Sequence, residues 1–213
     1  TGQIPRFPHH DDEEMHTNFG YTSAHADYRL LADNLMDLTH TAILHPAFGG
    51  LDYIPKFKSW EDGDSIVADY IIDEMPSFLD PESGKTVRHQ DTIYWRPAGV
   101  HYLESRTFLN NEEKTVIFIP SAHILTPETR SRTHYFWSSA YNPGMPFSKE
   151  DMREGLIQAF DREDKPMVEA VQSRLGDKEL WDKDPVLLPT DAAAIRVRRK
   201  LESLIAAELE QAK

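Results

Sequence analysis

Six stretches rich in Val, Ile, Tyr, Phe and Thr constrain this chain more than anything else: residues 26–31, 65–72, 92–95, 100–108, 114–120 and 131–139 read as β-strands. Polar turn signals separate several of them, at Glu61-Asp62-Gly63-Asp64, Asp80-Pro81-Glu82-Ser83-Gly84 and Asn110-Asn111. Strands joined in succession by short turns give a mostly antiparallel sheet. Two helices close the chain. The first spans residues 148–175, with Ser148 as its N-cap and Asp151 at N3 in a capping-box arrangement. The second begins after the cap Thr190 and carries an apolar stripe of Ile195, Leu201, Leu204, Ile205 and Leu209 at helical spacing. The expected architecture is α+β, a long curved antiparallel β-sheet gripping a C-terminal helix.

At 213 residues, 39% of them hydrophobic and four of them Trp, the chain is long enough for one domain with a substantial core. A net charge of -13 excludes a nucleic-acid partner, because binding phosphate needs a basic surface. No apolar run approaches the ~20 residues of a membrane span, so a soluble, cytoplasmic protein with no membrane partner is expected. Cysteine is absent and disulfides with it. The chain starts at Thr1 without a secretory leader, so a processed start or a piece of a longer protein is expected. Residues 1–17, with two prolines and the run His9-His10-Asp11-Asp12-Glu13-Glu14, read as a solvated linker rather than a second metal site. The domain proper is then 18–213.

The chemistry concentrates in Asn34-Leu35-Met36-Asp37-Leu38-Thr39-His40 and the following Thr41-Ala42-Ile43-Leu44-His45. Histidine is the commonest protein ligand for a transition metal. Two of the ten histidines lie five residues apart here, with a carboxylate one turn upstream. Five residues of regular α-helix turn through ~140°, so both imidazoles reach one ion only if the helix widens or ends between them. Pro46 fits an ending, and Tyr28-Arg29-Leu30-Leu31 reads as a strand leading in. On spacing alone the pair reads either as metal ligands or as solvated or core-capping histidines.

The helix at 148–175 offers Asp161, Glu163 and Asp164 as a further ligand. At ~100° per residue, Ile157, Phe160, Met167, Val168, Val171 and Leu175 all fall within ~60° of Asp164. Asp161 lies at the edge of that stripe and Glu163 well off it. A carboxylate facing a core is costly unless it is paired or bound to a metal, so Asp164 is either a third ligand or half of a buried ion pair with an Arg. Pro166 removes a backbone bond and is expected to kink the helix beside it.

The segment 34–45 has the pattern Asn-Leu-Met-Asp-Leu-x-His-x-x-x-x-His, which resembles the iron-binding segment of Rieske non-haem iron oxygenases. The likeness is to the aromatic O-demethylase branch, which includes vanillate and dicamba demethylases. Two further blocks are similar to the same branch, in the same order. One is His123-Ile124-Leu125-Thr126-Pro127-Glu128-Thr129 with Thr133-His134-Tyr135-Phe136-Trp137; the other is Glu163-Asp164-Lys165-Pro166-Met167-Val168-Glu169-Ala170. The resemblance runs from Tyr28 to Ala207.

That resemblance implies a helix-grip catalytic domain in which Fe(II), held by His40, His45 and Asp164, activates O2 for aromatic monooxygenation or O-demethylation. Such a two-His-one-carboxylate triad leaves three cis positions open. It implies that Asp37 links His40 to a Rieske-cluster His on a neighbouring subunit, and that Asn34 lies near the iron. By residue type alone, Asp37 is a helix-start charge and Asn34 an N-cap. A homotrimer, a reductase or ferredoxin electron donor and NAD(P)H as the electron source are implied in the same way. A Rieske [2Fe-2S] cluster needs two Cys and two His, so this cysteine-free chain cannot hold one and the cluster is expected outside it.

In the dicamba-type enzymes the His of the His-Ile-Leu-Thr-Pro-Glu-Thr motif contacts the substrate carboxylate. Carried over, that is His123, as a donor to an anionic or polar aromatic, with His134 as the second substrate-binding candidate. Either one reads alternatively as a satisfied core or rim histidine. The run His101-Tyr102-Leu103-Glu104-Ser105-Arg106 stands where the demethylases have a largely apolar strand, with an amide in the dicamba type, so neither vanillate nor dicamba is implied as the substrate. Phe136, Trp137, Ile43 and Phe48 are candidate apolar walls. Two rivals remain at this level: a metal-free small-molecule-binding module of the same shape, and a zinc hydrolase. The second lacks a nearby Glu in the general-base position of the zinc-protease motif.

Overall fold

In the computed structural model, which describes residues 5–45, 55–77, 84–109 and 115–212, the strands form one seven-stranded sheet in the order β1-β7-β6-β5-β4-β3-β2. Its members are β1 (His16–Ala24), β2 (Lys56–Asp62), β3 (Ser65–Pro76), β4 (Thr86–Arg96), β5 (Val100–Leu109), β6 (Thr115–Thr129) and β7 (Arg132–Tyr141). Every pairing is antiparallel, as expected. Gly63 turns the β2–β3 hairpin with a positive φ of 58°, where glycine carries no Cβ penalty. The expected turns at 80–83 and 110–111, together with Pro46 and Phe48, lie outside the described residues.

The two edge strands are the ones composition hides. β2 is charged and mostly exposed, which suits an edge. β1 has its alternation reversed: Asn18, Gly20, Thr22 and Ala24 face inward, while Phe19 and Tyr21 are exposed on the other face. The inner face at Gly20 is occupied by the Trp137 ring, and a Cβ there would stand 1.9 Å from Trp137 Cζ2.

Residues 26–31 are not a strand, which corrects the expectation for that stretch. They open helix α1 (Tyr28–Met36), whose N-cap Asp27 accepts from the Arg29 N–H. Leu31 and Leu35 sit one turn apart on its buried face. The Tyr70 hydroxyl donates to the Met36 carbonyl over 2.6 Å and ties the end of α1 to β3. Buried Arg198 clamps α1 from the opposite side, with Nε 2.9 Å from Asp33 Oδ1.

Arg198 belongs to helix α5 (Ala192–Gln211), which lies over α1, β2 and β3. Its buried stripe is Ala193, Ala194, Val197 and Leu201, continued by Leu204; Ile205 and Leu209, expected in the stripe, are exposed in the last turns. The capping box at Ser148 and Asp151 is present. From it runs one helical rod: α3 (Lys149–Ile157), a π turn (Gln158–Asp164) and α4 (Lys165–Leu175). The π turn, in which Lys165 N bonds to Phe160 O, lies just before Pro166. A π turn adds a residue per turn, and this shifts the register beyond it. Met167 and Val171, expected on the buried stripe at 100° per residue, are therefore exposed, while Val168 is buried.

The inner face of the sheet carries the row Ile66, Trp95, His101, His123, Trp137, Gly20 across the strands, and the helices cover it. The outer face is partly covered by residues 5–15. Phe7 stacks on Tyr102, and His9 and His10 both place Nε2 on the Ser138 hydroxyl, at 3.2 and 2.7 Å. Phe7 and His9 are buried, so this stretch of the expected linker is packed rather than solvated; apolar ring area on both sides explains the docking. No described helix is long and apolar enough to cross a membrane.

Gly20→Ala is expected to cost about 3 kcal/mol, the upper end for overpacking, because Trp137 cannot leave a filled core. A fall in Tm of roughly 10 °C checks it; an unchanged Tm would show that Trp137 has room to move.

Candidate metal centre

Asp37 ends α1 and caps the turn after it. Its carboxylate accepts from the Thr39 N–H at 3.0 Å and from the Thr39 hydroxyl at 2.6 Å. A 3-10 turn at Leu38–His40 leads into the four-residue helix α2 (Thr41–Leu44), which stops at His45. The helix thus ends between the histidines, as their spacing demanded, and the two rings meet edge-on with centroids 5.2 Å apart. Asp164, buried at the end of the π turn, faces both. Its Oδ1 is 3.4 Å from His40 Nε2 and 3.2 Å from His45 Nε2. One ligand atom from each of the three lies within 4.8 Å of the others. Two cis ligands each ~2.1 Å from an ion stand ~3 Å apart, so the distances from Asp164 to the two imidazoles suit binding to one ion.

Hydrogen bonds on the far nitrogens decide which atoms face the centre. His40 Nδ1 donates to the Asp37 carbonyl at 2.5 Å, and His45 Nδ1 to Glu163 Oε2 at 2.7 Å. Carbonyl and carboxylate oxygens only accept, so both rings carry Nδ1–H and turn Nε2 towards Asp164. A lone pair aimed at a carboxylate is repulsive unless a proton or a metal ion lies between them. The protonation equilibria reflect this. Burial works to lower the His45 pKa, but its contacts with Asp164 and Glu163 outweigh it and leave the pKa raised. Burial works to raise Asp164, yet the hydrogen bonds with His40 and His45 bring it down to about 2. Two neutral imidazoles and one carboxylate fit ferrous iron, and the same donor types accept zinc.

Asn34 is a mid-helix residue of α1 rather than its cap, which is Asp27; its Nδ2 donates to Asp164 Oδ1 at 3.3 Å. Asp37 touches His40 through its backbone carbonyl, while its half-buried carboxylate is held by Thr39. Beside Asp164 lies a small apolar cleft that includes Ala24, Leu31, Leu35, Tyr135, Phe160 and Val168. His123 is buried on the inner face against the Phe160 ring, with Nδ1 2.7 Å from the Tyr135 hydroxyl.

His134 is not brought to the site, a correction to its expected role. Strand alternation sends it to the outer face, where it meets Tyr21 Oη at 2.8 Å and Glu128 at 3.2 Å. Phe136 lies on that face too, and Ile43 is 69% exposed; of the described apolar candidates only Trp137 faces inward and is buried. The residue that sequence reasoning set aside is Glu163, whose contact with His45 depends on the π turn. Its adjacency to Asp164 was the one signal present.

His101 and His123 are direct partners across β5 and β6, both fully enclosed. Burial, reinforced by His123, lowers the His101 pKa from 6.5 to about 3; burial lowers His123 to about 4. Between those values and 6.5 the unfolded chain binds more protons than the folded one, so stability falls as pH drops through that window. His45 and His89, both raised, act in the opposite sense. His101→Leu is therefore expected to flatten the decline of Tm between pH 7 and pH 5; an unaltered slope would mean the imidazole is not buried neutral.

The model of the vanillate O-demethylase oxygenase C-terminal domain matches residues 24–207. The chain is 33% identical over 204 residues to the oxygenase component of chloroacetanilide N-alkylformylase from Rhizorhabdus wittichii strain DC-6, covering 89% of this chain and 57% of that protein. It is 32% identical over 216 residues to the oxygenase component of dicamba O-demethylase from Stenotrophomonas maltophilia, covering 95% and 63%. Its structure superposes on dicamba monooxygenase bound to 3,6-dichlorosalicylic acid with a TM-score of 0.82 at 30% identity, covering 100% of this chain and 65% of that one. The chain thus spans about three-fifths of the length of these relatives. With the curved sheet, the helices it grips and the His40–His45–Asp164 cluster in place, this chain belongs to the vanillate O-demethylase oxygenase C-terminal domain family, within the Rieske-type oxygenases.

Proposed function

We propose that this chain is the mononuclear-iron catalytic domain of a Rieske-type aromatic monooxygenase or O-demethylase. The observation that carries the reading is the convergence of His40 Nε2, His45 Nε2 and Asp164 Oδ1 on one point in a member of that family. His40, His45 and Asp164 would hold Fe(II), which would supply dioxygen activation there.

The surrounding residues hold and shield that centre. Asn34 keeps the Asp164 carboxylate in place through its amide. The Asp37 carbonyl fixes the His40 ring, and the Asp37 carboxylate, held by Thr39, would be the link from His40 to a cluster on a neighbouring subunit. The apolar cleft beside Asp164 keeps bulk water from the reacting carbon. His123 is buried and neutral, with Nδ1 paired to the Tyr135 hydroxyl; when that hydroxyl donates, Nε2 carries a hydrogen with no acceptor among the described residues. A polar or anionic group on an aromatic substrate supplies that acceptor.

The proposed whole protein carries its Rieske [2Fe-2S] cluster outside this segment, consistent with a chain that has no cysteine and spans three-fifths of its relatives. Residues 1–17 lead from that part of the protein and 18–213 form the catalytic domain. Electrons come from NAD(P)H through a reductase or ferredoxin, and the assembly is a cytoplasmic homotrimer in which each cluster feeds a neighbour's iron. Relatives named for dicamba, vanillate, chloroacetanilides and toluene-4-sulfonate point to a small aromatic bearing an oxidisable alkyl group. Hydroxylating a methoxy methyl gives a hemiacetal that loses formaldehyde, whereas the same attack on an alkyl carbon stops at the alcohol. The metal-free carrier does not account for two imidazoles and a buried carboxylate meeting at one point. The zinc hydrolase is less well supported, because Glu163 is engaged on the far side of His45 rather than placed as a base beside the donors.

Anaerobic loading with Fe(II), desalting and metal analysis test the reading. About one iron per chain is expected in the parent, and almost none in His40→Ala and Asp164→Ala. A folded parent that takes up no iron favours the carrier. Retention of zinc in preference to iron favours the hydrolase.

A further inference from the structure

The His45 ring is gripped at both nitrogens by consecutive residues of one helix. Asp164 Oδ1 stands 3.2 Å from Nε2, and Glu163 Oε2 accepts from Nδ1 at 2.7 Å. On an ordinary α-helix neighbouring side chains diverge by ~100°, and one faces away when the other faces the core. Here both lie in the π turn Gln158–Asp164, whose wider winding lets each reach the same imidazole. The turn also sets Gln158 beside Glu163, five residues on. Gln158 Nε2 donates to Glu163 Oε1 at 2.9 Å, and its own Oε1 accepts from Arg162 Nη1 at 3.2 Å. Glu163 is therefore held at one oxygen and presents the other to His45. The two histidines differ in this respect: the Nδ1–H of His40 rests on a neutral backbone carbonyl, that of His45 on a carboxylate.

We infer that Glu163 is a positioning residue for the metal centre. It locks the His45 ring with Nε2 towards Asp164 and strengthens that nitrogen as a donor, with Gln158 and the π turn holding it in place. A carboxylate behind a metal-bound imidazole fixes the ring's tautomer and raises its basicity, and losing such a partner weakens metal affinity by ~10- to 100-fold. The inference rests on the proposed iron site and adds to it a side chain that supports one of its three ligands. Glu163 does not touch the ion position itself.

The test measures Fe(II) affinity by anaerobic chelator competition, and the visible spectrum of the Co(II)-loaded protein, in the parent, Glu163→Gln, Glu163→Leu and Asp164→Ala. Glu163→Gln keeps the shape and an acceptor oxygen but removes the charge. It is expected to bind Fe(II) roughly tenfold more weakly, and Glu163→Leu up to ~100-fold more weakly. Both are expected to shift the Co(II) ligand-field bands, which a role confined to folding leaves in place. Thermal unfolding of the metal-free proteins checks the fold, and if one variant loosens, the other answers the same question. Parent-like affinity and an unshifted Co(II) spectrum in a folded Glu163→Gln or Glu163→Leu overturn the inference while leaving the triad intact. A parent that binds no Fe(II), or an Asp164→Ala that binds it normally, overturns the metal site and this inference with it.

Discussion

The buried carboxylate of Asp164 sets the terms for everything packed around it. A charge at 7% exposure is costly to maintain without partners. Here two imidazoles and an amide supply them, from a loop and a helix more than a hundred residues away in sequence. Bringing those partners together requires α1 to stop at Met36, the chain to tighten into a 3-10 turn and α2 to end after four residues. It also requires the C-terminal rod to widen where it passes the site. Each of these departures from regular helix lies within a few residues of the cluster.

The sheet supplies the rigid side of the arrangement. Its inner face is held at one end by the Trp137 ring seated on Gly20, and at the other by Tyr70 reaching the end of α1. The Arg198–Asp33 pair presses α5 on α1 from above. Such a buried pair adds little net stability over an apolar contact, yet losing one partner costs several kcal/mol, so it fixes register. The helix that carries Asn34 and leads to Asp37 is thereby constrained on both sides. The His101–His123 pair lies in the same inner row as Trp137, so histidines and core aromatics share one packed wall.

Legibility of the chain in sequence followed the strength of local pattern. The five central strands were readable from their β-branched and aromatic residues, although β3, β4 and β6 run longer than their composition marks. β1 was not readable: its inward residues are small or polar, and the aromatics that look like a core face are on the outside. The stretch at Tyr28 read as a strand from its first four residues, whereas the Leu31–Leu35 spacing that makes it helical emerges only over nine. His134 and Phe136 read as site candidates because they lie in a block similar to the demethylase branch, but alternation along β7 puts them on the other face.

What the sequence by itself determined was the class of fold and the absence of any cysteine ligand for a cluster in this chain, while His40, His45 and Asp164 entered as candidate donors. The fold came from strand and turn chemistry, and the candidates from the family resemblance together with a carboxylate centred on an apolar stripe. What only the tertiary structure decided was orientation: which nitrogen of each His faces Asp164, that Glu163 stands behind His45, and which face of β7 meets the helices. Tautomers depend on hydrogen-bond partners distant in sequence, and a π turn changes the angular register on which helical projection relies. Neither is encoded in local spacing, because both arise only when helices, turn and sheet close on one another.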